Sequence, residues 1–220
     1  MDESVWQMVR EERASLAELA SSLTAAQWAT TSLCTEWTVH DVVAHVVMTP
    51  AGEPTLAGMA RAMVRARGRL WNAGRDVVRA YARTRTPGQL VARLDELAGA
   101  RTKPVFVVDD NILLDVVVHG QDVAVPLGVP RPVPDATARV ALERAWRMGW
   151  PFHPRRRLLG VRLRCESADG AGTVWEAGEG PEVTGSAGAL ALLMTARTDA
   201  ALAQVRGDGV AVLADRLLSA

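Results

Sequence analysis

The chain lacks most of the features that would mark a membrane, secreted or nucleic-acid-bound protein. Its 220 residues contain no apolar run of about 18 or more, the length a spanning helix needs. The opening Met1-Asp2-Glu3-Ser4 has neither the basic nor the apolar region of a signal peptide, so a cytoplasmic protein is expected. Only two cysteines occur, Cys34 and Cys165, far apart and outside any CxxC pattern, which argues against a disulfide framework or a thiolate zinc knuckle. Any bound metal is therefore expected to take nitrogen and oxygen ligands. Net charge is missing as well: 25 basic residues balance 25 acidic ones, and nothing overall points to nucleic acid or an anionic membrane. Lysine is almost absent, Lys103 being the only one, and no internal repeat or low-complexity tract is evident.

What is present is a series of helical patterns followed by a change of texture. Val5, Met8, Val9, Leu16, Leu19 and Ala20 recur at helical spacing, predicting a helix over 5–20. Thr24 with Gln27 three residues on is a helix-start signal, and Thr38 can cap a helix over Val39–Met48 that Pro50 and Gly52-Glu53-Pro54 then break. A long helix is expected from Thr55 to Tyr81, interrupted at Gly68 or Gly74, with Leu56, Met59, Met63, Leu70, Val77, Val78 and Tyr81 as apolar contacts. Further helices are expected over 87–97, 105–125 and 133–150, the last capped by Asp135. The 105–125 segment is rich in Val and Ile, which favour strands, but Asp115, His119 and Asp122 fall on one helical stripe and alternation is absent. Beyond Pro154-Arg155-Arg156-Arg157, residues 161–166 and 173–176 alternate around a hairpin-type turn at 169–172; a third strand near 182–184 and helices near 187–196 and 199–205 follow. The glycine-rich stretches at 178–181 and 185–188 fit neither a Walker nor a Rossmann pattern and are read as turns. The chain thus divides into an all-helical part, 1–150, and a small α+β part, 158–220.

The chemistry concentrates in two stretches, Asp41-Val42-Val43-Ala44-His45 and Asp115-Val116-Val117-Val118-His119, each placing an acid and a histidine one helical turn apart among aliphatic residues. A buried polar group without a partner costs about 1–3 kcal/mol, so these side chains need something to satisfy them. A divalent cation would do so, with His45, Asp115 and His119 as three ligands and a fourth position open for water or substrate, as catalytic zinc sites have. Asp41 and Asp122 lie one turn along the same stripes and are candidates to hydrogen-bond a ligand imidazole. An Asp115–His119 hydrogen bond without metal is the plainer alternative. His40 and His153 are not expected to be ligands. Arg61, Arg65, Arg67, Arg69, Arg75, Arg79, Arg83 and Arg85 make the third helical region basic against the single acid Asp76; a solvated face is preferred over a carboxylate-binding role. Cys34 and Trp37 are read as packing residues.

The run Ser32-Leu33-Cys34-Thr35-Glu36-Trp37-Thr38-Val39-His40-Asp41-Val42-Val43-Ala44-His45 resembles the signature of the mycothiol-dependent maleylpyruvate isomerase family, in which a Trp-Thr-Val stretch leads into a helix bearing the first metal-binding histidine. Asp115-Val116-Val117-Val118-His119-Gly120-Gln121-Asp122 is similar to that family's acid-x-x-x-His followed by an Asp. The resemblance implies an α+β multidomain protein: an N-terminal DinB-like four-helix bundle binding Zn²⁺ or another divalent metal, followed by a small C-terminal α/β domain of sterol-carrier type. It implies mycothiol as an external thiol cosubstrate, and isomerase chemistry on a small unsaturated acid by thiolate addition, rotation and elimination. The alternatives are a mycothiol S-transferase, a non-catalytic metal- or ligand-binding protein, and metal-assisted hydrolysis. The chain departs from the family in having Asp115 where the isomerase pattern has Glu, which leaves metal binding easier to transfer than substrate identity.

Overall fold

The computed structural model describes residues 3–103 and 107–218, apart from the side chains of Leu56, Leu70, Trp71 and Leu218. The start of the expected 105–125 helix, and the side chains of Leu56 and Leu70 named as apolar contacts, thus lie outside the described residues. The chain packs as two compact units, Met1–Val108 and Asp109–Ala220. Among the described residues, no helix is long and apolar enough to cross a membrane.

The first unit is helical: α1 (Glu3–Ser21), α2 (Ala25–Trp28), α3 (Val39–Met48), α4 (Leu56–Arg65), α5 (Leu70–Ala82) and α6 (Pro87–Glu96). Short polar side chains set where these helices start. Thr24, Thr38 and Thr86 each accept the backbone N–H three residues on, while Gln27, Asp41 and Gln89 reach back to the cap backbone. The expected long helix over 55–81 is two helices, broken where Arg67 and Gly68 take positive φ of 52° and 77°. α3 contributes Val39, Val42, Val43, Ala44, Val46, Val47 and Met48 to the core and packs against α5 and α6, while α1 packs on α6. The α1–α6 contact is fixed by Arg13, fully buried, whose guanidinium donates to the carbonyls of Leu97, Ala98 and Ala100 past the end of α6, the last at 2.7 Å. The bonds tie α1 to the chain as it leaves α6, where the Leu97 carbonyl also accepts the Ala100 N–H at 2.9 Å.

The second unit comprises α7 (Asp109–Ala124), α8 (Asp135–Trp146), α9 (Pro154–Arg157), β1 (Arg162–Glu166), β2 (Thr173–Gly178), β3 (Glu182–Gly185), α10 (Ala187–Met194), α11 (Thr198–Leu202) and α12 (Gly209–Leu218). The sheet order is β2-β1-β3, with β1 antiparallel to β2 and parallel to β3. α7 is helical despite its valines because nearly all of it is buried and its first turn carries Asp109 and Asp110, which favour a helix N-terminus. α10 is apolar throughout and packs on α7, α8 and β1. Glycine permits the α7–α10 contact: a Cβ at Gly188 would lie 2.7 Å from the Gln121 side chain. The turn before β3 has the same dependence, because Gly180 has φ of 122° and a Cβ there would meet the Gly160 carbonyl at 2.4 Å.

The fold is therefore mixed helical with a small three-stranded sheet, as the change of texture predicts, and all three strands fall between Arg162 and Gly185. Packing, however, groups α7 and α8 with the sheet and α10, which puts the boundary between compact units at Val108/Asp109. Asp135 does not cap α8. It is the first helical residue, Pro134 occupies the cap position, and the Asp135 carboxylate instead accepts the Ala168 N–H at 3.0 Å and the Ser167 hydroxyl, tying the β1–β2 hairpin to α8. α8 also ends at Trp146, short of the expected 150, and α12 is a helix that periodicity did not reveal.

Candidate metal centre

The site residues of the second unit sit on one stripe of α7. His119, whose side chain is 12% exposed, lies between two carboxylates: its Nε2 is 3.4 Å from Asp115 Oδ1 and its Nδ1 is 2.8 Å from Asp122 Oδ2. The i, i+4 and i+7 spacing of a helix produces this arrangement without further help. Asp122 is fully buried, and Arg197 grips it with both edges of its fork, Nε to Oδ1 at 3.0 Å and a terminal nitrogen to Oδ2 at 2.7 Å. Burial by itself pushes the Asp122 carboxyl up, but the hydrogen bond to His119 and the Arg197 charge outweigh it and hold the group well below the usual carboxylate range.

These facts determine the chemistry of the His119 ring. An ionised carboxylate only accepts hydrogen bonds, so Nδ1 carries the proton that is donated to Asp122. In the neutral imidazole Nε2 then carries a lone pair toward the Asp115 oxygen, and a nitrogen and an oxygen donor so placed could hold a cation between them. Their separation also suits zinc. Donors about 2.0–2.2 Å from a tetrahedral Zn²⁺ lie about 3.4 Å apart, and the observed distance is 3.4 Å. Arg197 offsets the charge of Asp122, so the remaining pair on the stripe is the His119 imidazole and the Asp115 carboxylate.

In the first unit, Asp41 and His45 occupy α3. The Asp41 carboxylate accepts from the Thr38 N–H at 3.0 Å and from the Thr38 hydroxyl at 2.9 Å, so its observed bonds serve the helix start. His45 is half-buried, with its ring 5.3 Å from that of Trp37. Trp37 is held over α3 by a tight loop in which Ser32 N–H donates to the Trp37 carbonyl at 3.0 Å and the Ser32 hydroxyl donates to the same carbonyl at 2.9 Å. His40 is engaged elsewhere, edge-on to Trp28 with Nε2 3.1 Å from the Arg85 carbonyl, and His153 is exposed at the start of α9.

The arginines of α4 and α5 divide between structural ties and surface. Arg75 pairs with the Glu36 carboxylate and Arg79 donates to the Glu36 carbonyl at 2.7 Å, fastening the loop before α3 to α5. Arg85 lies 3.4 Å above the Tyr81 ring. Arg65, Arg67 and Arg69 line a shallow surface pocket of ≈ 270 Å³ with Asp76. Cys165 is buried, and desolvation, with Asp135 and Glu166 nearby, pushes its thiol up to about 11, so it is not a nucleophile at neutral pH.

Residues 9–111 match the sequence family described as mycothiol maleylpyruvate isomerase N-terminal domain. The matched span includes Asp41 and His45 and stops in the first turn of α7, ahead of Asp115. Two solved structures share the fold over nearly the whole chain. One is a crystal structure of the mycothiol-dependent maleylpyruvate isomerase, with a TM-score of 0.54 and 18% identity. The other is a histidine-to-alanine mutant of the mycothiol-dependent maleylpyruvate isomerase, with a TM-score of 0.50 and 17% identity. Each alignment covers 94% of this chain and 92% of the other. No curated protein sequence matches the chain.

Arg197 is the site residue that sequence reasoning missed. It lies 75 residues beyond Asp122, and no local spacing connects an arginine after an apolar helix to a carboxylate so far away.

Proposed function

We propose that the chain is a zinc-dependent, mycothiol-dependent enzyme of the maleylpyruvate isomerase type, with His45, Asp115 and His119 as metal ligands and Asp122 behind His119. The observation that carries this reading is His119 Nε2 standing 3.4 Å from Asp115 Oδ1 while Nδ1 is committed to Asp122. His45 is assigned from its place after the Trp37-Thr38-Val39 stretch, inside the matched domain. When bound, the metal keeps a coordinated thiol deprotonated at neutral pH. The chain's own residues then have defined tasks: Asp115 and His119 hold the metal, and Asp122 sets the orientation of the His119 ring. Trp37 closes one side of His45 with an apolar ring.

The reacting nucleophile in this reading is the external thiolate rather than a residue of the protein. Such a thiolate would supply addition to the activated double bond of a small cis-enedioyl acid, rotation about the resulting single bond and elimination of the same thiolate, so that atoms and electrons are conserved. We further infer that residues 1–150 form a DinB-like four-helix bundle domain and 158–220 a small sterol-carrier-like one. The helical run to Trp146 and the strands after Arg162 support this division.

The test is a pair of measurements on the full chain. Metal analysis should find about one equivalent of zinc, lost in His45→Ala and His119→Ala, and the zinc-loaded protein should isomerise maleylpyruvate only when mycothiol is supplied. Undiminished zinc in both variants would overturn the ligand set. Zinc binding without isomerisation, but with mycothiol transfer to an electrophile, would replace the isomerase by an S-transferase.

A further inference from the structure

The segment after α10 reaches the α7 stripe through a single side chain. α10 ends at Thr195 in a tight reversal: Arg197 N–H donates to the Leu192 carbonyl at 2.9 Å and Ala196 N–H to that of Leu193 at 3.4 Å, with Ala196 at φ of 69°. This is the Schellman arrangement, which usually places glycine at the left-handed position. It turns the chain back so that Arg197 faces α7. The guanidinium is held there by a third bond, to the Thr195 carbonyl at 2.9 Å. Its remaining edges make the two bonds to Asp122 already described, with the Arg197 side chain 14% exposed and that of Asp122 fully buried.

We propose that Arg197 is a positioning residue for the metal centre: it fixes Asp122, Asp122 fixes His119 as the Nδ1–H tautomer, and the bare Nε2 is thereby delivered beside Asp115. The inference rests on the metal-site reading for its purpose, but not for its first two steps. The guanidinium engages both oxygens of the buried Asp122 carboxylate, and a two-pronged contact of this kind fixes the carboxylate in one orientation. Without the Arg197 fork, Asp122 would be free to turn away, and His119 would lose the acceptor that holds the proton on Nδ1. Free histidine side chains favour the opposite tautomer, with Nε2 protonated, and a protonated Nε2 cannot ligate a metal. Lysine at 197 would keep the charge but not the fork, so its effect should be intermediate.

The decisive experiment reads the tautomer directly. Imidazole ¹⁵N spectra of the metal-free full chain, recorded above about pH 8 where an ordinary imidazole is neutral, should show His119 protonated on Nδ1 and bare on Nε2. The signal is assigned by its loss in His119→Asn. Arg197→Met and Asp122→Asn should each shift His119 toward the Nε2–H form and weaken binding of Zn²⁺ alone about 10–100-fold in competition with a chromophoric chelator. Arg197→Lys should fall between these and wild type in both readouts, and it decides the matter if Arg197→Met does not fold. An Nε2–H tautomer in wild type, or an unchanged tautomer in Arg197→Met or Arg197→Lys, overturns the proposal. A wild-type Nδ1–H tautomer that responds to Arg197, in a protein that binds no zinc, instead overturns the metal-site reading and leaves the Arg197–Asp122–His119 coupling standing.

Discussion

Replacing Asp115 by asparagine separates the two explanations for its nearness to His119. In a metal centre, Asp115 supplies one charged ligand of three. Four-ligand structural zinc sites bind with about 10–16 kcal/mol, or about 3–4 kcal/mol per ligand, so losing one should weaken zinc binding by about 10²–10³-fold. Asn keeps the shape and an oxygen but loses the charge, and the expected loss is about tenfold or more. Without metal the sign reverses. Asp115 Oδ1 and His119 Nε2 stand 3.4 Å apart, and an amide N–H can donate to Nε2 where a carboxylate oxygen cannot. The metal-free Asp115→Asn protein should therefore be as stable as wild type or more stable, by up to about 1 kcal/mol. If the stretch were a structural ion pair with protonated His119, the same substitution would remove an attraction and cost about 1–3 kcal/mol. Urea denaturation of both metal-free proteins above about pH 8, together with zinc competition, provides the two numbers. An Asp115→Asn protein that retains full zinc affinity and has lost stability would refute the reasoning.

Two other features give direct tests. Arg13 is fully buried against the carbonyls of Leu97, Ala98 and Ala100; Arg13→Met removes this donor from all three and should cost about 3 kcal/mol or more in urea unfolding, whereas a loss below about 1 kcal/mol would mean the contact contributes little. Cys165, with its thiol pushed up to about 11 by burial and nearby acids, should resist thiol reagents in the native protein at neutral pH. Its raised folded-state value means that stability is intact below the ordinary thiol range and declines as pH rises from there toward about 11. Cys165→Ala should flatten that alkaline decline, and an unchanged pH dependence would show that the thiol does not contribute to it.

Local rules made much of the fold legible. Thr38 and Asp41 bracket the start of α3, and its extent over Val39–Met48 follows from that cap and the break at Pro50. The hairpin of β1 and β2 follows from alternation around Asp169-Gly170-Ala171-Gly172, and the stripe of Asp115, His119 and Asp122 survives intact in α7. What could not be read depends on partners distant in sequence. Asp135 looks like a cap until Ser167 and Ala168 claim its carboxylate. α7 and α8 belong by texture with the helices before them, but α10 packs on both. No local pattern marks Arg197, and only the left-handed residue Ala196 turns it onto Asp122.

The two Asp-x-x-x-His stretches show how helix register turns one sequence pattern into two roles. Asp41 is the third residue of α3, where backbone N–H groups lack intrahelical acceptors and a short acid is captured by the cap. Asp115 is the seventh residue of α7, by which point the backbone donors are already paired along the helix and the carboxylate must turn to a side chain. One side chain within reach is His119, one turn on, whose far nitrogen is already committed to Asp122. Asp41 consequently stabilises a helix that presents a histidine, while Asp115 itself faces the bare nitrogen. Moving the start of α3 by one turn would release Asp41 from the cap, so Thr38 and Asp41 bear on how α3 presents His45.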